Sequence, residues 1–477
     1  MIHKIFGPPG TGKTYKLISR AKAYVRIGTP LHKIGYFAFT RKAAAEARTR
    51  MPADDNKLPY FQTLHSFAYH RIGLKEEDIM QPYHYEELGK ELGIKVKFMD
   101  KYNKEEIHYL TCDNPYFQII QRAANRNTTV DEEFDLNEHD TRLQRNTLKD
   151  IERNLKNYKT KKRLLDFNDM IKKVISLDAE EFPSLDAIFI DEAQDLSPLQ
   201  WMLYDKLKEY NPKTDIYLAG DDDQAIFGWA GADVRRFITE PAKEKILKYS
   251  KRISRAVQEE SQIPIGQIVG LRKEKQYYPR NYQGESFHIN NLDQIDLTKG
   301  KWLILTRTIS RLMRMQDELK SRHLYFATKK GKSYRVALYK AATYYADWQI
   351  GKILEEKEIN AVRDFTGITT WNVKKEWYTV FTQADEEEKN YISRMLEGGE
   401  KLSEEPRIWL STIHSIKGGE EDNVILCLDM GDKILKAIKK STDKADEEHK
   451  VWYVGTTRAR NNLYKLKAKI KRKGYKL

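Results

Sequence analysis

The sequence has only two cysteines, Cys112 and Cys427, which lie far apart. This scarcity excludes a disulfide framework and the closely spaced cysteines of a zinc site, and it favours a reducing compartment. The chain also has no run of about eighteen apolar residues, which excludes a membrane-spanning helix by composition. Its N-terminus lacks the pattern of a signal peptide. Together these absences predict a cytoplasmic protein that does not bind a membrane.

The charged residues are unbalanced towards the basic side. Lys plus Arg outnumber Asp plus Glu by 84 to 70, and the net charge of +14 predicts a polyanionic partner. The alternative is a basic, solvated surface that serves solubility. The excess is concentrated in 141–163, a long basic helical stretch, and in 465–477. In the first half of 465–477 lysines alternate with apolar residues, which is typical of an edge strand protected by lysines.

A phosphate-binding loop follows the first apolar stretch of the chain. Residues 7–14 read GPPGTGKT and match G-x-x-x-x-G-K-[ST], with a strand pattern before them and a helix pattern after them. Backbone N–H groups and the helix N-terminus bind phosphates in such a loop, Lys13 can reach the β- and γ-phosphates, and the Thr14 hydroxyl can bind Mg²⁺. The alternative is a chance glycine-rich turn. The predicted nucleotide-binding residues of this segment are Gly7, Pro8, Pro9, Gly10, Thr11, Gly12, Lys13, Thr14 and Tyr15.

The acidic partner of this loop is predicted in residues 185–200, LDAIFIDEAQDLSPLQ. Asp191 and Glu192 follow the apolar run AIFI, and ligands of a parallel sheet lie at the carboxyl ends of its strands. We expect Asp191 to hold Mg²⁺ together with Thr14, and Glu192 to orient and deprotonate the attacking water. A surface Asp-Glu pair is the alternative, and the four apolar residues before it argue against that.

A third segment, YLAGDDDQAIFGWAGAD (217–233), combines a strand with a polar sensor and two aromatic residues. Gln224 follows the strand and is placed to sense the γ-phosphate. Phe227 and Trp229 lie among glycines, where they can stack on unpaired bases at about 1–3 kcal/mol per base. The alternative is an aromatic pair buried between domains.

The order of strand and helix patterns predicts an α/β protein with two lobes, each interrupted once. A chain of 477 residues, 40% of them hydrophobic, can form several cores. We predict a first lobe over 1–74 and 161–240 that carries the ATP site, with an accessory insert over 75–160. The second lobe is predicted over 241–330 and 405–477, with a short insert over 331–404.

Eight motifs in this order resemble the UvrD/Rep-type DNA helicases of superfamily 1A. They span residues 7–460 and are GPPGTGKT, FAFTRKAAAEAR, TLHSFA, DFNDM, IDEAQD, GDDDQAIFGWAGAD, STIHSIKGGE and WYVGTTRAR. The resemblance implies two RecA-like P-loop NTPase lobes with parallel sheets, and helical or mixed accessory inserts. It also implies an ATP-driven motor that moves 3′ to 5′ on single-stranded DNA, with ATP in the cleft between the lobes.

The resemblance assigns DNA contacts to residues of both lobes. Phe39 and Thr40 in FAFT match a position that contacts bases. His65 in TLHSF matches a position near the strand, with a histidine that caps the core as an equal alternative. A hydroxyl, an imidazole and an ammonium group after a second-lobe strand can hold DNA phosphates. These three groups belong to Thr412, His414 and Lys417.

The remaining matches concern the nucleotide. Glu420 matches the family's glutamate near the ribose. Arg458, predicted at a helix start, and Arg252 match the arginines that bring positive charge to the γ-phosphate across the cleft, and Arg307 is a weaker candidate. The predicted catalytic set is Lys13, Asp191, Glu192, Gln224, Arg252 and Arg458.

The chain departs from the family pattern where the family reads the adenine base. The family has a glutamine before the phosphate loop that reads adenine, and this sequence starts at the strand before the loop. Lys251 stands where the family usually has a tyrosine that stacks on adenine. These departures predict weak base selectivity, unless Tyr249, Tyr15 or Phe6 stacks on the base. The second insert is also shorter than in large family members. The resemblance therefore supports translocation more strongly than it supports unwinding.

The sequence therefore predicts a microbial or virus-encoded, ATP- and Mg²⁺-dependent DNA helicase. It would translocate 3′ to 5′ on single-stranded DNA and unwind duplexes at junctions of single- and double-stranded DNA. One alternative is a translocase that displaces proteins from DNA and unwinds poorly. Another is a nucleotide-switched DNA-binding module that hydrolyses slowly and does not move. Glu192 together with two arginines argues against the switch.

Overall fold

The chain divides into two units, each built on one β-sheet. The computed structural model describes residues 1–52, 57–98, 112–136, 143–367, 371 and 374–477. Unit 1 contains Met1–Ile253, Ile268–Arg280 and Asp446–Lys450, and unit 2 contains Ser254–Gln267, Asn281–Ala445 and Val451–Leu477. Both sheets are parallel apart from one short antiparallel pair in unit 2. This confirms the predicted α/β fold class.

The sheet of unit 1 has six strands in the order β3-β2-β4-β5-β1-β6. They are β1 (Ile2–Phe6), β2 (Ile34–Ala38), β3 (Phe61–Thr63), β4 (Ala187–Ile190), β5 (Asp215–Gly220) and β6 (Lys243–Ile246). Strand β5 pairs with β1 on one side and β4 on the other, in parallel register. The segments that follow β1, β4 and β5 therefore meet at one edge of the sheet, where parallel sheets bind ligands.

Helices cover both faces of this sheet. The helices that pack on the sheet are α1 (Lys13–Arg26), α2 (Arg41–Thr49), α3 (Leu64–Arg71), α8 (Phe167–Ile175), α9 (Pro198–Glu209) and α10 (Val234–Thr239). Between α3 and α8 the chain forms α4 (Pro82–Glu91), α5 (Pro115–Arg126), α6 (Val130–Asp135) and α7 (Arg145–Lys162). Alternate residues of β4 serve the two faces, because side chains along a strand alternate in direction. Phe189 packs in the cluster that contains Leu17 of α1, whereas Ile188 and Ile190 pack in the cluster that contains Met170 of α8.

The predicted first insert contains the helices α4 to α7. Tyr85, Phe117 and Ile151 from three of them share a hydrophobic cluster that is separate from those of the sheet. This part of the chain therefore has a core of its own. Within the basic stretch 141–163, residues Arg145–Lys162 form α7, and this agrees with the helical pattern of the sequence.

The domain boundaries remain predictions, and one observation bears on them. Strand β6 extends the sheet of unit 1 beyond residue 240, after which we predicted the second lobe to begin. Its residues Lys243–Ile246 pair with His3–Phe6 of β1. Without β6, the strand that leads into the phosphate loop would be an edge strand with unpaired backbone groups.

The sheet of unit 2 has seven strands in the order β10-β9-β11-β8-β12-β13-β7. They are β7 (Glu285–Ile289), β8 (Trp302–Thr306), β9 (Phe326–Thr328), β10 (Gly331–Lys332), β11 (Ile408–Thr412), β12 (Glu421–Cys427) and β13 (Ala459–Leu466). The helices are α11 (Arg255–Ile265), α12 (Ile309–Ser321), α13 (Val336–Gln349), α14 (Glu356–Thr366), α15 (Trp377–Val380), α16 (Glu386–Glu397), α17 (Asp432–Lys440) and α18 (Thr442–Thr456). Strands β11, β8 and β12 lie at the centre of this sheet, and most of their apolar residues are buried.

The predicted second insert contains α13 to α16. One hydrophobic cluster contains buried residues from this part of the chain, among them Leu338, Tyr345, Val362, Phe381 and Ile392. The insert is therefore a small helical body with an aromatic-rich core. In the described part of the chain, no helix is both long enough and apolar enough to cross a membrane.

The prediction of an edge strand at the start of 465–477 was wrong. Residue 465 belongs to β13, which lies between β12 and β7 and pairs with both. Lys465 is buried and pairs with Glu260 of α11. A carboxylate on a neighbouring helix compensates the charge, so the lysine does not need an exposed edge.

Candidate functional site

The phosphate loop of unit 1 has the geometry that its glycines allow. Gly10 and Gly12 have φ of 72° and 84°, in the left-handed region that favours glycine. A Cβ at Gly7 would lie 2.1 Å from Cγ of Lys13. The Lys13 ammonium donates a hydrogen bond to the Gly7 carbonyl at 2.8 Å. The loop therefore closes around the lysine, and it presents the start of α1 to a bound anion.

Asp191 follows β4 and meets the first turn of α1. Its Oδ2 accepts hydrogen bonds from the Thr14 hydroxyl at 2.6 Å and from the Tyr36 hydroxyl at 3.0 Å. Burial, and then the nearby charge of Glu192, raise the pKa of Asp191 to about 6. The structure thus brings together the two residues predicted to hold the metal, although they are far apart in sequence.

The donor set at this point fits Mg²⁺. A hydroxyl and a carboxylate oxygen lie within 2.6 Å of each other beside the phosphate loop. Mg²⁺ prefers oxygen ligands, and it commonly takes one or two from the protein and the rest from water and phosphates. Among the described residues no group of three or more His, Cys, Asp or Glu side chains could hold a metal. This small donor set is what a metal delivered with a nucleotide requires.

Glu192 is held by a residue that sequence reasoning missed, Gln194. The side-chain NH₂ of Gln194 donates to Oε2 of Glu192 at 2.6 Å, and its carbonyl oxygen accepts from the backbone N–H of Asp221 at 3.0 Å. Gln194 is completely buried. It therefore ties the segment after β4 to the segment after β5. Its place two residues after Glu192, in IDEAQD, was the available signal.

Gln224 lies on the segment after β5, in a network of buried charges. Its amide nitrogen donates to Oδ2 of Asp221 at 2.7 Å. The Lys275 ammonium lies 3.2, 2.5 and 2.8 Å from carboxylate oxygens of Asp221, Asp222 and Asp223. Burial alone would lower the pKa of Lys275, but the three carboxylates outweigh it and leave this pKa above its ordinary value. The sequence analysis missed Lys275, because nothing local links it to the aspartates.

Arg252 belongs to unit 1 and lies next to the phosphate loop. The hydroxyl of Ser250 donates to the Pro9 carbonyl at 2.8 Å, and the backbone N–H of Lys251 donates to the Gly10 carbonyl at 2.9 Å. A Cβ at Gly10 would lie 2.3 Å from Cβ of Arg252. Arg252 lies beyond residue 240, where the predicted second lobe begins, and it is grouped with unit 1. Its predicted role at the γ-phosphate stays a prediction.

Two tyrosines near this loop are exposed. Tyr15 is 67% exposed, and the Lys251 ammonium lies 5.7 Å from the centre of its ring. Tyr249 is 69% exposed and packs against Tyr278. Phe6, in contrast, is completely buried in β1 and contacts Phe237. The expectation that Phe6 can stack on the base of the nucleotide was therefore wrong, and Tyr15 and Tyr249 remain candidates.

Three of the predicted DNA-binding residues form an aromatic row in unit 1. The rings of Phe39 and Phe227 stack at 5.4 Å, and Trp229 lies 6.4 Å from Phe227. Phe227 is only 2% exposed, whereas Trp229 is 45% exposed. The three residues lie together, but only Trp229 among them presents a large ring surface. Phe227 supports this surface rather than forming it.

The other two predicted DNA-binding residues of unit 1 have structural contacts. Thr40 is the N-cap of α2, where its hydroxyl accepts from the Ala43 N–H at 3.1 Å. His65 is buried in α3 and meets Phe167 edge-on at 5.9 Å. These contacts agree with the core-capping alternative for His65, and the DNA role of both residues stays a prediction.

Helix α5 of the insert holds the loop that carries Trp229. The side-chain NH₂ of Asn125 donates to the Ala230 carbonyl at 2.9 Å, and the guanidinium of Arg126 donates to the Gly228 carbonyl at 3.2 Å. Gly231, with φ of 100°, would bring a Cβ to 3.1 Å from Asn125. The glycines thus let the insert helix approach the loop. No local sequence signal pointed to Asn125 or Arg126.

In unit 2 the predicted phosphate-binding residues lie at the end of β11 and directly after it. The Thr412 hydroxyl accepts from the Ser415 N–H at 3.3 Å. Burial lowers the pKa of His414 to about 3, helped by the charges of Arg307 and Lys417. His414 is therefore neutral near pH 7, so it can donate or accept a hydrogen bond but adds no charge. Positive charge at this point comes from Arg307 and Lys417.

The two remaining residues of unit 2 are held by protein groups. Glu420 accepts from Nε of Arg460 at 3.0 Å. Arg458 is 1% exposed and donates to the Val454 and Gly419 carbonyls at 3.0 and 3.2 Å. Its predicted position at a helix start was wrong, because α18 ends at Thr456 and Arg458 follows it. Carbonyls at the end of a helix need donors, and the guanidinium supplies them.

The fold and the site define a class: a phosphate-loop nucleotide-binding protein with two largely parallel α/β sheets. A sequence model described as the UvrD/REP helicase N-terminal domain matches residues 2–244, and the chain belongs to this family. Its two sheets are those of two RecA-like lobes, as the resemblance implied.

Curated relatives agree with this assignment. A probable DNA helicase of Mycoplasma pneumoniae is 27% identical over 251 residues, 50% of this chain and 46% of the relative. The ATP-dependent DNA helicase PcrA of Staphylococcus epidermidis is 25% identical over 256 residues, 49% of this chain and 33% of the relative. The RecBCD enzyme subunit RecB of Buchnera aphidicola is 35% identical over 109 residues, 21% of this chain and 9% of the relative. The matched part is thus less than half the length of each relative.

Proposed function

We propose that this protein is an ATP-dependent DNA helicase that translocates 3′ to 5′ along single-stranded DNA. The observation that carries the proposal is the chain of hydrogen bonds from Glu192 through Gln194 and Asp221 to Gln224. It joins Glu192, the general base that would activate water, to the segment that continues into the loop of Trp229. Hydrolysis and a base-stacking residue are thereby linked within one unit.

Each member of this site has a definite task in the proposal. Lys13 binds the β- and γ-phosphates, and Thr14 and Asp191 would hold Mg²⁺, which neutralises phosphate charge when bound. Glu192 orients and deprotonates the attacking water, and Gln224 responds to the γ-phosphate. Loss of the contact between Gln224 and the γ-phosphate moves the segment after β5. Trp229 then changes its stacking contact with a DNA base. Only contacts that differ between the two nucleotide states can drive such a step.

The residues of unit 2 complete the proposal as a second contact with the DNA backbone. Thr412, His414 and Lys417 hold phosphates, which fixes position without reading sequence. Glu420 lies near the ribose, and Arg252 and Arg458 stabilise charge on the transferred phosphoryl group. The expected substrate is single-stranded DNA at its junction with a duplex, and the expected compartment is the cytoplasm.

The test is the rate of ATP hydrolysis with and without single-stranded DNA, followed by unwinding of duplexes with a 3′ or a 5′ tail. We expect strong stimulation by single-stranded DNA and unwinding only from the 3′ tail. Glu192→Gln serves as the hydrolysis-deficient control. Hydrolysis that does not respond to DNA would contradict the motor, and a preference for the 5′ tail would contradict the direction.

A second candidate is a translocase that displaces proteins from DNA and unwinds poorly. The small size of the helical body formed by α13 to α16 favours it, since less protein is available there to contact a duplex. A fluorescent protein block on single-stranded DNA separates the two candidates. Efficient removal of the block together with weak duplex unwinding would favour the translocase.

A further inference from the structure

One basic surface of unit 2 has no part in the site described above. It combines α17 with the segment that follows β13, and we call it the α17 surface. Its side chains are exposed lysines and one arginine from the two segments. They are Lys433, Lys436, Lys440, Lys469, Lys471 and Arg472.

Tertiary contacts bring these two segments together. The Met430 N–H donates to the Lys473 carbonyl at 2.8 Å, and the Tyr475 N–H donates to the Leu428 carbonyl at 2.9 Å. The Lys473 ammonium pairs with the Asp432 carboxylate, at the start of α17, at 2.7 Å. The two segments are therefore held side by side by backbone and side-chain bonds.

The charge on this surface is dense enough to act on a neighbouring acid. The hydrogen bond from Lys473 lowers the pKa of Asp432, and the charges of Lys436 and Arg472 lower it further. One lysine of the helix, Lys436, and two cations of the terminal segment, Lys473 and Arg472, therefore act on the same carboxylate.

Helix α17 directs its lysines to one side. Lys433, Lys436 and Lys440 follow the spacing of three and four residues that places side chains on one face of a helix. Ile434 and Ile438 lie on the opposite face and are half-buried. The apolar side is therefore partly covered, and the lysines are left for solvent or a ligand.

The surface offers charge but no aromatic ring for a base to stack on. The aromatic residue of the terminal segment, Tyr475, is 8% exposed and stacks on Trp452 at 4.6 Å. Single-strand binding usually combines cations with exposed aromatic rings. A surface that offers only cations suits double-stranded DNA, because its bases are turned inwards and its phosphate backbone faces the protein.

We propose that the α17 surface binds the backbone of duplex DNA, without reading its sequence, as a contact separate from the single-strand track. The proposal rests on the proposed function, because it assumes a DNA substrate. It adds a site whose task is to hold the duplex. Loss of this site leaves the hydrolytic site and Trp229 intact.

The test compares two fourfold variants of the full chain. In the first, Lys433, Lys436, Lys440 and Arg472 are changed to Gln. In the matched control, four other exposed lysines of unit 2 are changed to Gln, so that the change in net charge is the same. These control positions are Lys299, Lys301, Lys329 and Lys330.

Fluorescence anisotropy measures binding of a blunt duplex and of oligo-dT across about 50–200 mM salt. In the first variant we expect duplex affinity to depend less on salt, with the slope of log K against log salt flatter by about 3.6 if all four side chains contact phosphates. Oligo-dT binding and its stimulation of ATP hydrolysis stay within about twofold of wild type, because no phosphate contact of the single strand is removed. The control variant keeps the wild-type duplex slope.

Other results would overturn the proposal. An unchanged duplex slope in the first variant would show that the surface does not contact DNA. An equal loss for duplex and oligo-dT would assign it to the single-strand track. Loss of binding to anionic phospholipid vesicles with unchanged duplex binding would assign it to a membrane.

Two further measurements keep the result interpretable. A charge-preserving variant should keep the wild-type duplex slope. Its substitutions are Lys433→Arg, Lys436→Arg, Lys440→Arg and Arg472→Lys. Thermal unfolding of each variant checks that it is folded. If single-stranded DNA does not stimulate ATP hydrolysis by the wild-type protein, the proposed function is contradicted. The salt dependence of duplex binding still tests the α17 surface in that case.

Discussion

Glu192 shows how this site is specified at the scale of single residues. Its φ of 55° lies in the left-handed region that residues other than glycine rarely adopt. Such a conformation persists only where the surroundings hold it, and it is concentrated at functional sites. Here the surroundings are β4 before it and the amide of Gln194 on its carboxylate. The carboxylate is therefore held in place before any substrate arrives.

The first prediction concerns hydrolysis. Glu192→Gln should keep ATP binding and lower kcat by about 10²–10⁴-fold, the range for a positioned base. Lys13→Ala should abolish hydrolysis by removing the charge on the β- and γ-phosphates. The measurements are kcat by phosphate release and binding by equilibrium dialysis. Asp186→Asn is the control, since this carboxylate is 47% exposed, and it should turn over normally.

Normal turnover in Glu192→Gln would show that another group activates the water. Loss of ATP binding in the same variant would point instead to a role of Glu192 in holding the loop.

The second prediction concerns base selectivity, also a property of a few residues. Lys251 stands where the resemblance to the family implies a stacking tyrosine, and its ammonium lies 5.7 Å from the centre of the Tyr15 ring. A site that hydrogen-bonds a chemical group rejects analogues that lack it far more strongly than a site that only accommodates it. We expect GTP to support DNA-stimulated hydrolysis within about tenfold of ATP, which is about 1.4 kcal/mol.

The measurement is kcat/KM for all four nucleoside triphosphates with saturating single-stranded DNA. Tyr15→Ala and Tyr249→Ala identify the tyrosine that stacks, because its loss should weaken purines more than pyrimidines. A preference for ATP over GTP beyond about a hundredfold, or about 2.7 kcal/mol, would mean that an adenine-reading group exists in the chain.

At the scale of elements, helix α5 links the first insert to the loop after β5. Asn125 and Arg126 hold the carbonyls on both sides of Trp229, and Arg126 also pairs with the buried Glu133 at 2.8 Å. The insert therefore contributes to the candidate DNA contact of the unit into which it is inserted. This link explains why a glycine-rich loop can present one exposed tryptophan in a defined position.

The third prediction tests this loop. Trp229→Ala should leave basal hydrolysis unchanged and lower DNA-stimulated hydrolysis and unwinding, because the stacking partner of a base is lost at about 1–3 kcal/mol. Tyr83→Ala, at a tyrosine that is 61% exposed in the same unit, is the matched control. Intact unwinding in Trp229→Ala would show that this ring is not part of the DNA track.

Asn125→Ala tests the role of α5 in the same assay. It removes one hydrogen bond to the loop, at about 1 kcal/mol, so we expect the affinity for single-stranded DNA to fall about fivefold.

The fourth prediction concerns the buried charges after β5. Lys275→Met leaves three buried carboxylates without their shared cation, and breaking a buried ion pair in this way costs about 3–5 kcal/mol. We expect the free energy of unfolding of unit 1, measured by urea denaturation, to fall by that amount. Lys273→Met is the control: this lysine is 35% exposed and pairs with Glu244, and its loss should cost at most about 1 kcal/mol.

Equal effects of the two substitutions would contradict a special role for Lys275. Lys275→Arg, which keeps the charge, should recover part of the stability and so separate charge from packing.

At the scale of the whole molecule, charge decides how the protein meets its ligand. The net charge of +14 includes α7, where Lys149 and Lys156 pair with Asp131 and Glu152 at 2.8 and 2.7 Å. Part of the basic excess that was apparent in the sequence is therefore neutralised within the fold. In the α17 surface, six cations are exposed.

The fifth prediction follows from this distribution. Binding to single-stranded DNA should be indifferent to base sequence and should weaken steeply with salt, by about 300-fold to 10⁴-fold between about 50 and 200 mM if six to ten phosphates are contacted. Titrations with oligonucleotides of different composition measure both properties. A large preference for one sequence, or a flat salt dependence, would exclude a motor that holds its track mainly by phosphates and stacking.

Local patterns in the sequence determined the α/β class, the phosphate loop and the strands that carry it. Glycines in a phosphate loop and apolar runs of strand length act over a few residues, so they can be recognised without a structure. The rule that ligands lie at the carboxyl ends of parallel strands then sufficed to predict that Thr14 and Asp191 would meet.

Only the tertiary structure decided which side chains are covered and which distant charges meet. Phe6 and Phe227 are buried, Lys465 lies inside the sheet, and Lys275 joins three aspartates from another part of the chain. A strand or loop pattern is the same whether or not another strand, helix or ion packs on it. Burial and charge pairing depend on segments far away in sequence, and for that reason folding, not local pattern, settled them.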